Sequence, residues 1–236
     1  MEISIIIPAY NEFSIICDTI GTIETYLEDK FLLYEIIVVD DGSTDGTASR
    51  VESTFSDKKN IRLLKNDVNR GKGAAVRKGA LASIGDLVLF SDADLSTPIT
   101  ELDAFLLLIN EFSIVVGSRA LPDSLILIHQ PFYREYMGRV FNRFVQWIVS
   151  RGIKDTQCGF KLFRGDVARL LFSLCKIDGF CFDVEVLYLA HKKQYSIKEK
   201  SVIWRNDPTT KVHVFKDSCK MFLDLIRIKW LHRNDN

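Results

Sequence analysis

Short apolar runs recur along the first half of the chain, and each stops at a polar or acidic cluster. Ile3 to Ile7 is almost wholly β-branched and ends at Pro8. A run that is apolar at nearly every position predicts a strand buried on both faces of a parallel sheet. Glu35 to Val39 is a second such run and stops at Asp40-Asp41-Gly42-Ser43; shorter strands are predicted over Ile61–Leu64, Leu87–Ser91 and Ile114–Gly117. Between them the apolar residues fall at helical spacing. Glu12–Leu27 carries Ile15, Ile16, Ile20, Ile23 and Leu27 near one face, Thr44–Phe55 follows a Ser/Thr/Asp cap, and Gly73–Ile84 and Ile99–Leu108 complete the set. This alternation predicts an α/β fold, Rossmann-like, with a mostly parallel central sheet and helices on both faces. Ligands bind such sheets outside the carboxyl ends of the strands. Three clusters stand at those ends: Asn11-Glu12, Asp40-Asp41 and Asp92-Ala93-Asp94.

Beyond Arg119 the pattern changes. Pro131 to Val149 is long, aromatic and basic, with Phe132, Tyr136, Val140, Phe144 and Trp147 interleaved with Arg134, Arg139 and Arg143. A polar turn follows over Lys154–Gly159, then helices over Asp166–Leu174 and Val184–Lys192, a strand over Ile197–Trp204 and a loop over Arg205–Lys211. The tail, Val214 to His232, has helical spacing, with Phe215, Cys219, Phe222, Ile226 and Trp230 set against lysines and arginines. The expected division is one domain over residues 1–212, changing character between 1–118 and 119–212, with an amphipathic basic tail over 213–236.

Charge sharpens that division. Net charge is zero, yet Met1–Ser118 holds ten Lys and Arg against nineteen Asp and Glu, and the remainder twenty-one against twelve. An acidic half suits a metal, and a basic half suits phosphates or anionic lipid. The five cysteines (Cys17, Cys158, Cys175, Cys181 and Cys219) show no CxxC spacing, which argues against a zinc site or disulfide framework and for a reducing compartment. No leader is predicted, because the N-terminus runs directly into SIIIPAY, and no run is long and apolar enough to span a bilayer.

Three constellations carry candidate chemistry. Asp92 and Asp94, one residue apart after the strand LVLF, can share one divalent cation; hard oxygen ligands suit Mg²⁺ or Mn²⁺, which would neutralise a leaving diphosphate. Pro8-Ala9-Tyr10-Asn11-Glu12 and Asp40-Asp41 offer a surface for a base and a carboxylate for its ring N–H; a capped loop is the alternative, and the expected one for Asn11. Asn69-Arg70-Gly71-Lys72-Gly73 opens a helix, where glycines and the helix N-terminus favour phosphate. A Walker A loop and a GxGxxG turn are both absent, which argues against a P-loop NTPase and a Rossmann dehydrogenase.

IIIPAYNE, VVDDGSTDGT, NRGKGAAVRKGA, DADLSTP and GSRA follow one another in order. Together they resemble the family-2 glycosyltransferases of GT-A fold, and the resemblance covers residues 3–212. DTQCGFKLF, GFCFDVEVL and VIWRNDPTTKV resemble the branch that glucosylates or mannosylates dolichyl phosphate. The resemblance implies that Pro8, Tyr10, Glu12, Asp40 and Asp41 line the nucleoside pocket and that Lys72 meets the donor phosphates or ribose. It implies that Asp92 and Asp94 hold the metal, with Ala93 between them, and that Arg119, Arg205 and Lys211 meet phosphate. Gln157 and Cys158-Gly159 would help form the acceptor side. Two positions depart from the branch: Ser96 stands where the mannosyltransferases often carry Gln, and Thr210 replaces the usual Ser.

The reaction expected from that resemblance is inverting, metal-assisted transfer of a hexose from a nucleotide sugar to a polyprenyl phosphate. UDP-glucose is the favoured donor, with GDP-mannose open. A phosphate acceptor needs no base, since its second pKa is about 6. Asp183 keeps two readings: the base for an alcohol acceptor in a soluble or glycan substrate, or the cap of the helix beginning at Val184. The four histidines match no motif. QxxRW is absent, against a processive synthase. A nucleotide-sugar-binding protein without turnover is the non-enzyme alternative. The expected place is cytoplasmic, peripheral at the cytoplasmic face of a membrane, with room for a membrane-protein partner for anchoring or onward transfer; residues 131–149 and 214–232 read either as interfacial helices anchored by Trp147 and Trp230 or as amphipathic core helices. Nothing points to nucleic acid.

Overall fold

The computed structural model describes residues 2–31, 33–128, 132–148, 152–206 and 214–233. The first half alternates strand and helix as the pattern predicts: β1 (Glu2–Ala9), α1 (Ile16–Glu28), β2 (Leu33–Asp40), α2 (Thr47–Phe55), β3 (Ile61–Lys65), α3 (Lys72–Ala82) and β4 (Leu87–Ser91). A 3-10 turn (Ile99–Glu101) leads into α4 (Leu102–Leu108), followed by β5 (Ile114–Ser118). The second half comprises β6 (Leu125–Ile128), α5 (Phe132–Ile148), β7 (Phe160–Arg164), α6 (Gly165–Leu174), α7 (Phe182–Lys192), β8 (Ile197–Ser201), β9 (Ile203–Arg205) and α8 (Val214–Leu231).

Seven strands form one sheet in the order β3-β2-β1-β4-β7-β5-β8. All run parallel except β7, which pairs antiparallel with both β4 and β5. The apolar pattern predicts no strand over 160–164, and none over 125–128. β7 escapes a periodicity reading because it is apolar on both faces: Phe160 and Leu162 enter the core on one side of the sheet, Phe163 the other. Its insertion puts a strand from the second half between β4 and β5 of the first. β6 is exposed along most of its length and pairs with β9 in a two-stranded sheet.

Successive strand residues feed opposite faces. Ile5 and Ile7 pack with α1, α2 and α4, whereas Ile6, Ile37 and Val39 pack with α3, α6 and α7. A third cluster joins Phe141 and Val145 of α5 with Val184 of α7 and Leu225 and Ile228 of α8. Helix α7 is thereby held between the sheet-facing layer and the α5–α8 pair. Two predicted helices start late. Asn11 takes a left-handed backbone (φ 55°) and the Glu12–Ile15 turn precedes α1; Gly46 (φ 90°) delays α2 to Thr47.

Candidate active site

The carboxyl ends of β1, β2 and β4 face one side of the sheet, and their loops are stitched together there. The Asn11 amide donates to Ser43 Oγ at 2.8 Å, Thr44 N donates to Asn11 Oδ1 at 2.8 Å, and Glu12 N donates to Thr47 Oγ1 at 2.9 Å. Tyr10 is partly exposed beside them. Asp40 is buried. Its Oδ2 accepts Ser43 N at 3.2 Å, while Oδ1 has no hydrogen-bond partner among the described residues. A buried acceptor left open by the protein is one that a ligand's N–H can satisfy.

Asp41 has a different task. Its Oδ1 accepts Asn66 Nδ2 at 2.7 Å and Arg70 N at 3.0 Å, and its Oδ2 accepts Gly71 N at 2.7 Å. Both oxygens therefore brace the glycine loop from below. Gly71 needs to be glycine on two counts: φ is 112°, and a Cβ there would lie 2.4 Å from the Asp178 carbonyl oxygen.

That loop delivers Lys72 to the acidic turn after β4. Lys72 Nζ lies 2.7 Å from Asp92 Oδ1 and 5.3 Å from the centroid of the Phe90 ring. Burial opposes its charge, but Asp92, Asp183 and Asp94 together hold the ammonium above the ordinary lysine range. Asp94 Oδ1 accepts Ser96 N at 2.8 Å, and burial followed by the like charge of Asp92 raises its carboxyl. Ala93 is buried beneath, its carbonyl bound by Thr19 Oγ1. Asp92 N donates to the Gly159 carbonyl at 3.2 Å, and a Cβ on Gly159 would stand 1.8 Å from Asp92 Oδ2. The glycine in Cys158-Gly159 thus makes room for the Asp92 carboxylate.

Behind this turn, Lys161 of β7 is buried, ion-paired with Asp183 and bonded through Nζ to the Cys158 carbonyl at 2.6 Å. Burial raises the Asp183 carboxyl, an effect that Lys161 and Lys72 oppose. Lys161 lies within the DTQCGFKLF motif but is not among the expected site residues. A lysine inside the apolar run FKLF is its only signal.

On the far side of the sheet's switch, Arg119 meets Asp155 as a fork: Nε to Oδ2 at 2.7 Å, Nη2 to Oδ1 at 2.9 Å and the backbone N to Oδ2 at 3.0 Å. The guanidinium also lies over Trp204 at 5.3 Å. Burial works against both charges, but each holds the other: Arg119 is pushed up and Asp155 down. Asp155 is not among the expected site residues although it opens DTQCG. Cys158 is a buried thiol pushed up to about 11, mainly by burial. Gln157 N caps Asp155 Oδ1 at 3.1 Å.

Arg205, at the end of β9, donates its backbone N to the Ser96 carbonyl at 2.8 Å, tying the acceptor side to the acidic turn. Beside that contact opens a cavity of about 490 Å³, lined by Asp94, Ser96 and Arg205 together with Leu127, Ile128 and Ile203. Lys211 and Thr210, and the side chains of Arg134, Arg139 and Trp147, lie outside the described residues.

The donor set fits Mg²⁺ or Mn²⁺. Asp92 and Asp94 present hard carboxylate oxygens one residue apart, and Mg²⁺ is commonly held by one or two carboxylates plus substrate phosphates.

Residues 4–172 match the Glycosyl transferase family 2 domain. A dolichyl-phosphate beta-glucosyltransferase of Dictyostelium discoideum is 41% identical, the match covering 97% of this chain and 74% of that protein. The dolichyl-phosphate beta-glucosyltransferase of Homo sapiens is 33% identical over 98% of this chain and 76% of its own. Among solved structures, glucosyl-3-phosphoglycerate synthase from Mycobacterium tuberculosis, in complex with Mn²⁺, UDP-glucose and phosphoglyceric acid, superposes with a TM-score of 0.67 at 20% identity, covering 96% of this chain and 79% of that one. That likeness shows the GT-A fold. With a family domain across most of its length and relatives this similar, the chain belongs to glycosyl transferase family 2, within its dolichyl-phosphate beta-glucosyltransferase group.

Proposed function

We propose that this glycosyltransferase moves glucose from UDP-glucose to the phosphate of a polyprenyl phosphate of the dolichyl type. One observation carries the reading: the acidic turn at Asp92–Asp94 meets the lysine loop through Lys72 and, through Asp94, a mostly apolar cavity that Arg205 also lines. A nucleotide diphosphate suits the first, and a phosphate on an apolar chain suits the second. Relatives that act on dolichyl phosphate, and a neighbour holding Mn²⁺ and UDP-glucose, support the same pairing.

In this reading the open Oδ1 of Asp40 accepts the base N–H, and Pro8, Tyr10 and Glu12 form the wall of the nucleoside pocket. Asp41 keeps the glycine loop in place beneath it. Asp92 and Asp94 would hold a divalent cation, which would supply charge to offset that growing on the leaving diphosphate. Lys72 shares that charge. The acceptor oxygen bonds to the anomeric carbon as the bond to the diphosphate breaks, its electron pair leaving with the nucleotide. Inversion follows from that single in-line displacement. The acceptor phosphate is already an anion near neutral pH, so the protein's task is to bring two anions together. Arg119, Arg205 and Lys211 serve that task. Asp183, buried and engaged by Lys161, positions the two lysines and takes no proton.

The acceptor is a membrane lipid, and α8 offers a face for the membrane. Leu223, Ile226 and Trp230 are all more than 60% exposed. At about 100° per residue they fall within roughly 60° of one another, turned away from the buried Leu225 and Ile228. Exposed Lys220, Arg227, Lys229 and Arg233 flank them, a pattern suited to an anionic bilayer surface. Among the described residues no helix is long and apolar enough to cross a membrane.

The test is transfer of labelled sugar from UDP-glucose, GDP-mannose and UDP-N-acetylglucosamine into organic-extractable polyprenyl phosphate, with Mg²⁺ or Mn²⁺ and a chelator control. Chelator-sensitive label from UDP-glucose is expected. Label from GDP-mannose alone would replace the donor. Nucleoside diphosphate release only with soluble glycans would overturn the lipid acceptor. Flotation with anionic but not neutral vesicles, lost in a Leu223→Ser/Ile226→Ser variant, is expected for the membrane face.

A further inference from the structure

Glu185 on α7 is fully buried, and the reaction as derived does not use it. Its Oε1 accepts Lys176 N at 2.9 Å and lies 2.7 Å from Nε2 of His232; its Oε2 accepts Ile177 N at 2.9 Å. His232, just beyond α8, is fully buried too. The end of α8 is fastened twice more: Lys176 Nζ donates to the Leu231 carbonyl at 3.0 Å, and Lys192 Nζ donates to the His232 carbonyl. A buried polar network of this kind adds little net stability over an apolar core but fixes one geometry.

The segment it fixes, residues 175–179, is the seat of the glycine loop. The Asp178 carbonyl accepts Ala74 N at 3.2 Å, its carboxylate binds Arg77 Nη2, and the Cys175 carbonyl accepts Arg77 Nη1 at 3.3 Å. The approach is so close that a Cβ on Gly73 would lie 2.6 Å from the Ile177 carbonyl oxygen. The first turn of α3, which carries Lys72, is therefore braced from below by Asp41 and from the side by 175–179. The chain of contacts runs from His232 through Glu185 and the amides of Lys176 and Ile177 to Asp178, α3 and Lys72, and ends at Asp92.

We infer that His232 is a positioning residue for donor binding: through Glu185 the end of the C-terminal helix sets the place of Lys72 against the donor diphosphate. The inference rests on the reading that Lys72 meets that diphosphate. A wholly structural pair would cost stability without preference for either substrate.

The experiment compares His232→Ala, His232→Gln and Lys72→Gln in the whole chain. UDP affinity with Mg²⁺ is read by calorimetry, and KM is read for UDP-glucose and for polyprenyl phosphate. His232→Ala is expected to weaken UDP binding and raise donor KM about tenfold, with acceptor KM unchanged. His232→Gln, which retains an N–H for Glu185, should recover most of that loss. Combining His232→Ala with Arg77→Ala should add less than the two separate effects, since both act through 175–179. Should His232→Ala fail to fold, Asp178→Asn breaks the same path downstream and is expected to give the same donor-selective loss. A lower melting temperature with unchanged UDP affinity, or equal shifts in both KM values, would overturn the inference. If Lys72→Gln also leaves UDP binding intact, the diphosphate role of Lys72 falls with it; if Lys72→Gln weakens UDP and the His232 variants do not, the inference alone fails.

Discussion

The two ends of the site hold their carboxylates in opposite ways. At the donor end Asp92, Asp94 and Asp183 share Lys72 and Lys161, three acids against two ammonium groups. Burial raises Asp94 and Asp183, and the ion pairs do not fully offset it. At the acceptor end Asp155 is buried as well, yet one forked arginine lowers it. The donor end is short of positive charge, which under the proposed function would admit a divalent cation. The acceptor end is already balanced, so under the proposed function an incoming phosphate would draw on what Arg119 has left and on Arg205. Of the Arg119 guanidinium nitrogens, only Nη1 makes no hydrogen bond among the described residues.

Removing charge from each end should therefore produce different failures. The largest effect is expected for Asp92→Asn, a loss of about a thousandfold or more in kcat/KM, with urea stability preserved. Full transfer restored by added Mg²⁺ would break the comparison at its donor end. Arg119→Ala should register in stability as well as in acceptor use. It leaves Asp155 buried without its partner, at a cost of about 3 kcal/mol in urea unfolding. An unchanged midpoint would mean that the acceptor end is not internally balanced.

Gly159→Ala probes the joint between the ends. A Cβ 1.8 Å from Asp92 Oδ2 must displace that carboxylate. We expect about a hundredfold weaker Mn²⁺-dependent transfer with a stability loss of about 1–3 kcal/mol. Transfer at the parental rate would show that Asp92 has freedom the packing denies it.

The smallest effect concerns pH. Arg119 holds the folded-state pKa of Asp155 below the unfolded value of about 3.9. The stability this contributes is present above that value and is lost as pH falls through the folded one. Urea midpoints of the parent and Asp155→Asn should differ fully at neutral pH and converge as pH falls below about 4. A gap that persists at the lowest pH would assign the difference to packing.

Much of the donor end is legible in the amino-acid sequence alone. The loops after β1, β2 and β4 and the glycine loop before α3 stand in the chain as compact motifs. Each is a local feature in which a strand's apolar run simply stops. The acceptor end is less legible. Its motifs contain Asp155 and Ile203 without showing that Asp155 takes up most of Arg119 or that Ile203 joins Leu127 and Ile128 around the cavity. These partners lie many residues apart and share no period. The histidines match no motif, yet His232 is buried on Glu185, 47 residues away in sequence.

The sequence by itself determined an alternating α/β chain, the acidic and glycine loops at its strand ends, and the family those loops mark. It could do so because strand periodicity, glycine turns and helix starts are set by neighbours a few residues apart. Only the tertiary structure decided that β7 enters the sheet antiparallel between β4 and β5, that Lys161 meets Asp183, that Gly159 clears space for Asp92 and that α8 ends on Glu185. Those outcomes depend on which buried charge finds which partner once the layers close. That choice is made by desolvation and fit across the whole core, and no local pattern in the chain records it.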